Sequence, residues 1–306
     1  MSKPRMRSTI ISMTLANDES VRRLIELAKD EDLGCGDISG QLLDDPREAA
    51  SFHLIAKQPG VFAGRDIAPA VLAVYGDSLD LQWTNSGVDG HPIESVPLHL
   101  ATIRGPLSAI LAAERVLLNF LQRLCGVATL TRSFVDAVAG TGASIYDTRK
   151  TTPGCRMLEK YAVRCGGGNN HRLGLFDAVL IKDNHLSGIA TARLAHAAFE
   201  MLNRLSTHDP KPPFVEFEAD SMERAEQLLK VVGIDAVLLD NFSLDQLREA
   251  VALRDACGLR GKVVLEASGG ITLQTVRAVA ATGVERISVG AMTHSAPVLD
   301  LSLERV

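Results

Sequence analysis

No stretch of this 306-residue chain approaches the roughly 18 consecutive apolar residues of a membrane span, although apolar residues make up 46% of it. Lys3, Arg5 and Arg7 precede only Thr9-Ile10-Ile11-Ser12-Met13, which is too short and too rich in hydroxyls for a secretory signal, and Asp18-Glu19 follow at once. A cytoplasmic start is the expectation. The five cysteines (Cys35, Cys125, Cys155, Cys165, Cys257) are odd in number and contain no C-x-x-C pair, which suggests neither a disulfide framework nor a zinc site. They read as small core hydrophobes in a reducing compartment. An excess of positive charge is also missing: the net charge is −5, which argues against a nucleic-acid binder, since phosphate-backbone affinity needs a basic face. Neither G-x-G-x-x-G nor G-x-x-x-x-G-K-[ST] occurs, nor H-E-x-x-H, nor G-x-S-x-G.

What is present is a local reversal of that charge. Between Asp147 and His185 seven Lys/Arg face four acids, a net of +3 that leaves −8 for the rest of the chain. A confined anion site in an acidic protein is the simplest account.

The first third predicts a small α+β domain. Asn17 is placed to cap a helix through about Lys29, strands are expected at Phe52–Ala56, Leu79–Trp83 and Leu98–Ile103, and Pro106 opens a long helix. From Ala143 onward, six short apolar runs starting at Ser144, Ala178, Phe214, Ala236, Val263 and Ile287 alternate with helical patterns at spacings of 22 to 36 residues. That is the signature of parallel βα units. The runs end in Asp147-Thr148-Arg149-Lys150, Lys182-Asp183-Asn184-His185, Glu218, Asp240-Asn241, Glu266-Ala267-Ser268-Gly269-Gly270, and Gly290 with His294 nearby. Only a closed or nearly closed barrel gathers all six carboxyl ends on one face, where such folds place their sites.

Arg149 with Lys150, His171 with Arg172, and Lys182 bring cations to three neighbouring elements, a set suited to a ligand with several acid groups. Gly166-Gly167-Gly168 is expected to let backbone approach that ligand. Ser268-Gly269-Gly270, with a helix expected near Thr272, resembles a phosphate cradle that Gly290 and His294 complete. Glu218 and Asp240 neutralise the cations, hold a divalent metal directly or through water, or bind ribose hydroxyls. Glu216 shares a strand face with Glu218 but has no clear task, and His185 reads as a ligand, a base or a structural histidine.

The strings Asp147–Gly154, Glu159–Arg164, Gly166–Arg172, Leu180–His185, Leu239–Asn241, Glu266–Gly270 and Ser288–His294 resemble the quinolinate phosphoribosyltransferases, the carboxylating nicotinate-nucleotide pyrophosphorylases of de novo NAD biosynthesis. Gly36-Asp37-Ile38, Glu114-Arg115 and Asn119-Phe120-Leu121 extend the likeness over nearly the whole chain. It implies an N-terminal α/β domain (1–116, with 291–306 returning to it) and an incomplete seven-stranded α/β barrel (117–290). It further implies transfer of phosphoribosyl from 5-phosphoribosyl-1-pyrophosphate (PRPP) to quinolinate with loss of CO2, and a homodimer in which Arg115 reaches the partner's site. Arg149, Arg172 and Lys182, with His171 alongside, would clamp quinolinate. Lys150, Glu218 and Asp240 would serve PRPP and its Mg2+, while Ser268, Gly269, Gly290 and His294 would hold the 5-phosphate. Cys155 and the long 202–213 stretch depart from the family pattern without touching these positions. On residues alone, a molybdenum-transport-associated relative of the same fold, a Schiff-base lyase using Lys182, and a metabolite binder without turnover stay open.

Overall fold

The computed structural model describes residues 15–306; the basic segment around Lys3, Arg5 and Arg7 lies outside them. In chain order the first elements are α1 (Glu19–Leu33), β1 (Ala49–Ala56), β2 (Gly60–Val61), α2 (Ala68–Ala73), β3 (Asp80–Trp83), β4 (Pro92–Ile93), β5 (Leu98–Pro106) and α3 (Leu107–Ala137). Next come β6 (Ser144–Tyr146), α4 (Arg156–Cys165), β7 (Val179–Ile181), α5 (Thr191–Leu205), β8 (Val215–Ala219), α6 (Met222–Leu229) and β9 (Ala236–Asp240). The chain closes with α7 (Leu244–Ala256), β10 (Val264–Ser268), α8 (Val276–Ala280), β11 (Arg286–Ser288), α9 (Ala291–His294) and β12 (Leu301–Arg305). Among the described residues no helix is long and apolar enough to cross a membrane.

Two compact units result. The first comprises residues 15–132 with Lys150–Gly168 and Ala291–Val306, the second Ser133–Arg149 with Asn169–Gly290. In the first unit an antiparallel sheet of order β12-β1-β5-β3 carries the core residues Phe52, Leu54, Leu100 and Ile103. Asp18, not Asn17, caps α1: its carboxylate accepts from the N–H groups of Ser20 (2.9 Å) and Val21 (3.3 Å), which a residue one step earlier cannot reach. The triple glycine serves packing. A Cβ on Gly166 would lie 2.5 Å from the Ala128 carbonyl oxygen, and one on Gly168 would lie 2.7 Å from Thr131 Cγ2, so close packing on α3 demands their smallness.

The second unit is a parallel sheet of order β6-β11-β10-β9-β8-β7. Six strands are hydrogen-bonded, and the expected seventh position is filled by a single parallel bridge between Tyr146 and Asn169. The sheet curls. The Arg286 guanidinium on β11 lies 4.4 Å from the Tyr146 ring centroid and 4.5 Å from that of Phe214, just before β8. A flat sheet would separate strands three places apart by about 14 Å.

Period-two alternation sorts the side chains of this sheet. Ile145, Phe217, Val237, Leu239, Leu265, Ala267 and Ile287 share one face, all at most 2% exposed. Helices α6 and α8 pack on that side of β8, β9 and β11, and each large side chain so buried contributes ~1.5–3 kcal/mol. The opposite, interior face is layered. Ala178, Phe214 and Ala236 with Val264 form an apolar plug at the amino ends. Above it the registers Leu180↔Glu216, Glu218↔Leu238, Leu238↔Glu266 and Glu266↔Arg286 stack charged residues. Asp240↔Ser268 and Ser288↔Tyr146 continue the layers toward the carboxyl ends.

Candidate active site

Strand register brings most of the expected site residues to the carboxyl end of the second unit. Asp147, just after β6, is fully buried and accepts from the His171 backbone N–H at 2.8 Å and Asn170 Nδ2 at 2.6 Å. It ties Asn170–Arg172 to the strand end that carries Arg149. The Arg172 side chain is only 8% exposed, makes no ion pair among the described residues, and donates from Nη1 to the Ala178 carbonyl at a long 3.5 Å. Burial first, then the charge of Arg149, pull its pKa below the ordinary arginine value. Arg149 Nε is itself buried without a hydrogen-bond partner. Two neighbouring guanidiniums that lack matching carboxylates form a receptor for a ligand with more than one acid group.

At the end of β7, Lys182 Nζ lies 3.1 Å from Glu218 Oε2, and Asp183 N–H approaches the other carboxylate oxygen at 3.5 Å. His185 accepts the Lys182 N–H on Nδ1 at 2.9 Å, a bond that helps set this turn. Asp240 Oδ2 accepts from Asn241 Nδ2 at 2.8 Å, and Asn241, with φ of 58°, donates its N–H to the Ser268 carbonyl at 2.8 Å. A Cβ on Gly269 would stand 2.1 Å from Asn241 Oδ1, which is why glycine follows Ser268. Helix α8 begins at Val276, not near Thr272. The Val276 N–H bonds the Thr272 carbonyl at 2.9 Å and the Thr272 N–H bonds Thr275 Oγ1 at 3.0 Å, so the turn that opens at Thr272 leads into the helix.

Deeper in the same unit lies a cluster that sequence reasoning left without a role. His171 Nε2 is 2.9 Å from Glu216 Oε2 and 3.4 Å from Glu266 Oε1, and Arg286 Nη1 is 3.6 Å from Glu266 Oε2. Ser288 donates to Glu266 as well. Both carboxylates are fully buried. The strings Val215–Ala219, Val264–Ser268 and Arg286–Ser288 alternate strictly, a pattern that aims Glu216, Glu266, Arg286 and Ser288 inward with Glu218.

In the first unit, Lys150 is exposed while its carbonyl accepts from Thr293 Oγ1 at 2.7 Å, which links it to α9 and His294. The buried Glu159 accepts from Arg123 Nη2 (2.7 Å), Thr152 N–H (3.1 Å) and Thr152 Oγ1 (2.8 Å). Arg123 also donates to the carbonyls of Thr293 and, at 2.8 Å, Ala296. One buried pair thus braces both the Lys150–Thr152 turn and the His294 helix. Arg115 is exposed on α3. Cys125 is buried as expected, but Cys35 and Cys257 are exposed, so not all cysteines are core residues; none forms a disulfide.

Glu218 and Asp240 suit Mg2+. They present hard oxygens two strand positions apart on the interior face, and Mg2+ is commonly held by one or two carboxylates plus substrate phosphates. The His171–Glu216–Glu266 cluster does not suit it: the cluster is sealed, and Arg286 supplies the cation beside Glu266.

Two family models match the chain: the N-terminal domain of quinolinate phosphoribosyl transferase over residues 37–125 and its C-terminal domain over residues 127–304. The nicotinate-nucleotide pyrophosphorylase (carboxylating) of Mycobacterium leprae is 40% identical over 290 residues, covering 94% of this chain and 97% of that one. The probable enzyme of the same name from Bacillus subtilis is 37% identical over 279 residues, covering 90% and 89%. The solved structure of the nicotinate-nucleotide pyrophosphorylase from Francisella tularensis superposes with a TM-score of 0.83 at 35% identity, over 97% of this chain and 100% of that one.

Proposed function

The chain belongs to the quinolinate phosphoribosyltransferase family, and from that membership we propose how its residues divide the work of moving phosphoribosyl from PRPP to quinolinate with release of pyrophosphate and CO2. The observation that carries the assignment is the pair of guanidiniums, Arg149 and Arg172, with buried nitrogen atoms and no carboxylate partner. Quinolinate, a pyridine with adjacent carboxylates, supplies two anions on a rigid plane. Arg149 and Arg172 bind them by bidentate hydrogen bonds, Lys182 adds a point charge, and the ring nitrogen is held toward ribose C1.

Glu218 and Asp240 would hold Mg2+, whose charge would offset the negative charge that grows on pyrophosphate as the ribose C1–O bond breaks. Lys150 donates to the same leaving group, and Ser268, Gly269, Gly270 and Gly290 offer backbone N–H groups, with His294, to the 5-phosphate. The electron pair of the broken bond departs with pyrophosphate, and the pyridine nitrogen lone pair forms the new bond to C1. The nitrogen is then cationic. The C2–carboxylate bond breaks, CO2 leaves, and the pair remaining on C2 is stabilised by the adjacent positive nitrogen until a solvent proton neutralises it. The protein's contribution is placement and fixed charge.

Arg115 acts in the site of a second copy of the chain in a homodimer, which its exposure on α3 permits. The cytoplasm is the compartment that suits five unpaired cysteines. Calorimetric titration with quinolinate tests the central assignment. Arg149→Ala should abolish the binding heat, and unchanged binding in that variant removes the arginine from the site.

A further inference from the structure

Among the described residues Asn241 is the one non-glycine with a positive φ, 58°. It follows directly on Asp240, the last residue of β9. In extended backbone consecutive side chains point to opposite faces of a sheet, so a residue continuing the strand after Asp240 would turn away from its carboxylate. The left-handed conformation breaks that alternation and brings the Asn241 amide back, with Nδ2 donating to Asp240 Oδ2 at 2.8 Å. Few residue types satisfy both demands. Asparagine enters this conformation at low cost and carries a donor, whereas glycine enters it without a side chain and aspartate, when ionised, without a donor.

The same residue meets the neighbouring strand. Ser268 is paired with Asp240 in the register of β10 against β9, and the Asn241 N–H donates to the Ser268 carbonyl at 2.8 Å. Gly269, at φ of 98°, packs against the amide so closely that an added Cβ would stand 2.7 Å from Asn241 Cγ. One side chain thus lies between the carboxylate assigned to the metal and the loop assigned to the 5-phosphate.

We propose that Asn241 is a positioning residue that orients the Asp240 carboxylate and sets its place relative to the 268–270 loop, so that the two ends of PRPP are received in register. The amide holds Oδ2 of Asp240 and leaves Oδ1 for the metal or a ribose hydroxyl. The inference rests on the reading of Asp240 as a Mg2+ ligand and of the 268–270 loop as the phosphate cradle. It gives a task to a residue that touches neither substrate.

Turnover measured across a Mg2+ titration tests it. Asn241→Gly keeps the left-handed backbone and its N–H but removes the amide, and Asn241→Asp keeps the shape and replaces the donor by an acceptor. Asn241 is exposed and both replacements tolerate a positive φ, so both variants should fold. Each should raise the Mg2+ concentration for half-maximal rate and the PRPP KM by roughly 10- to 100-fold, the usual cost of removing a group that orients a metal-binding side chain. Quinolinate affinity, measured by calorimetry, should be unchanged, which a general loosening of the site would not allow. A wild-type or lower Mg2+ demand in either variant, or a parallel loss of quinolinate affinity, overturns the proposal. Asp240→Asn with a wild-type Mg2+ demand overturns the reading on which it rests, and the proposal with it.

Discussion

Lys182 Nζ and Glu218 Oε2 lie 3.1 Å apart, so the lysine assigned to a quinolinate carboxylate and the glutamate assigned to the metal are each other's partners. The lysine side chain is 48% exposed and the glutamate only 7%, which makes this a pair with one end in solvent. On the proposed assignment both substrates draw on it, the dicarboxylate through Lys182 and the PRPP–metal complex through Glu218.

Glu218→Gln keeps the shape and a hydrogen-bond acceptor for Lys182 but removes the charge. The expected result is a fall in kcat of about 10²–10³, the cost of losing one preorganised electrostatic contact to the leaving group. Excess Mg2+ should recover part of the loss, and chelation should abolish turnover in the wild-type enzyme. Steady-state kinetics across a Mg2+ titration reads both.

Arg149 and Lys150 are adjacent in sequence, yet one is half-buried and the other exposed. Arg149→Ala should weaken quinolinate by about 2–5 kcal/mol, the cost of truncating one partner of a buried charge pair. Lys150→Ala should leave quinolinate binding intact and lower the rate of the PRPP step. Calorimetry with quinolinate and single-turnover pyrophosphate release distinguish them, and normal behaviour in either variant removes that residue from the site.

Arg123→Met leaves the Glu159 carboxylate buried without its cation and frees the carbonyls of Thr293 and Ala296. A stability loss of about 3–5 kcal/mol follows from stranding a buried charge. Thermal unfolding should show it, together with a raised PRPP KM, because the same pair braces the Lys150 and His294 segments.

Gly126 on α3 admits the 297–298 segment so closely that an added Cβ would stand 1.8 Å from the Pro297 carbonyl oxygen. Backbone must move to relieve that contact, so Gly126→Ala should cost about 1–3 kcal/mol or more despite the better helix propensity of alanine. An unchanged melting temperature contradicts this packing.

The βα order and the cluster of chemistry at strand ends were legible in sequence because strand period and polar termini are local properties. The interior charge layer was half visible. Glu216 and Glu218 alternate within five residues, but His171 and Glu266 are 95 positions apart and meet only through the register of β10 against β9 and β11. The packing demand on Gly166 and Gly168 was invisible in sequence because it comes from Ala128 and Thr131 on another element. Asn17 and Asp18 are equally good cap types, and only the geometry of the first turn chooses Asp18. The helix expected near Thr272 is regular only from Val276, although the Val276 N–H already bonds the Thr272 carbonyl.

The most direct test of the account is release of pyrophosphate and CO2 by the purified protein supplied with PRPP, Mg2+ and quinolinate, with nicotinate in a parallel reaction. One pyrophosphate and one CO2 per quinolinate consumed, with no comparable release from nicotinate, is the predicted result and makes the guanidinium pair responsible for the second acid group. Folded protein that releases neither product, or that turns over nicotinate as readily as quinolinate, contradicts it.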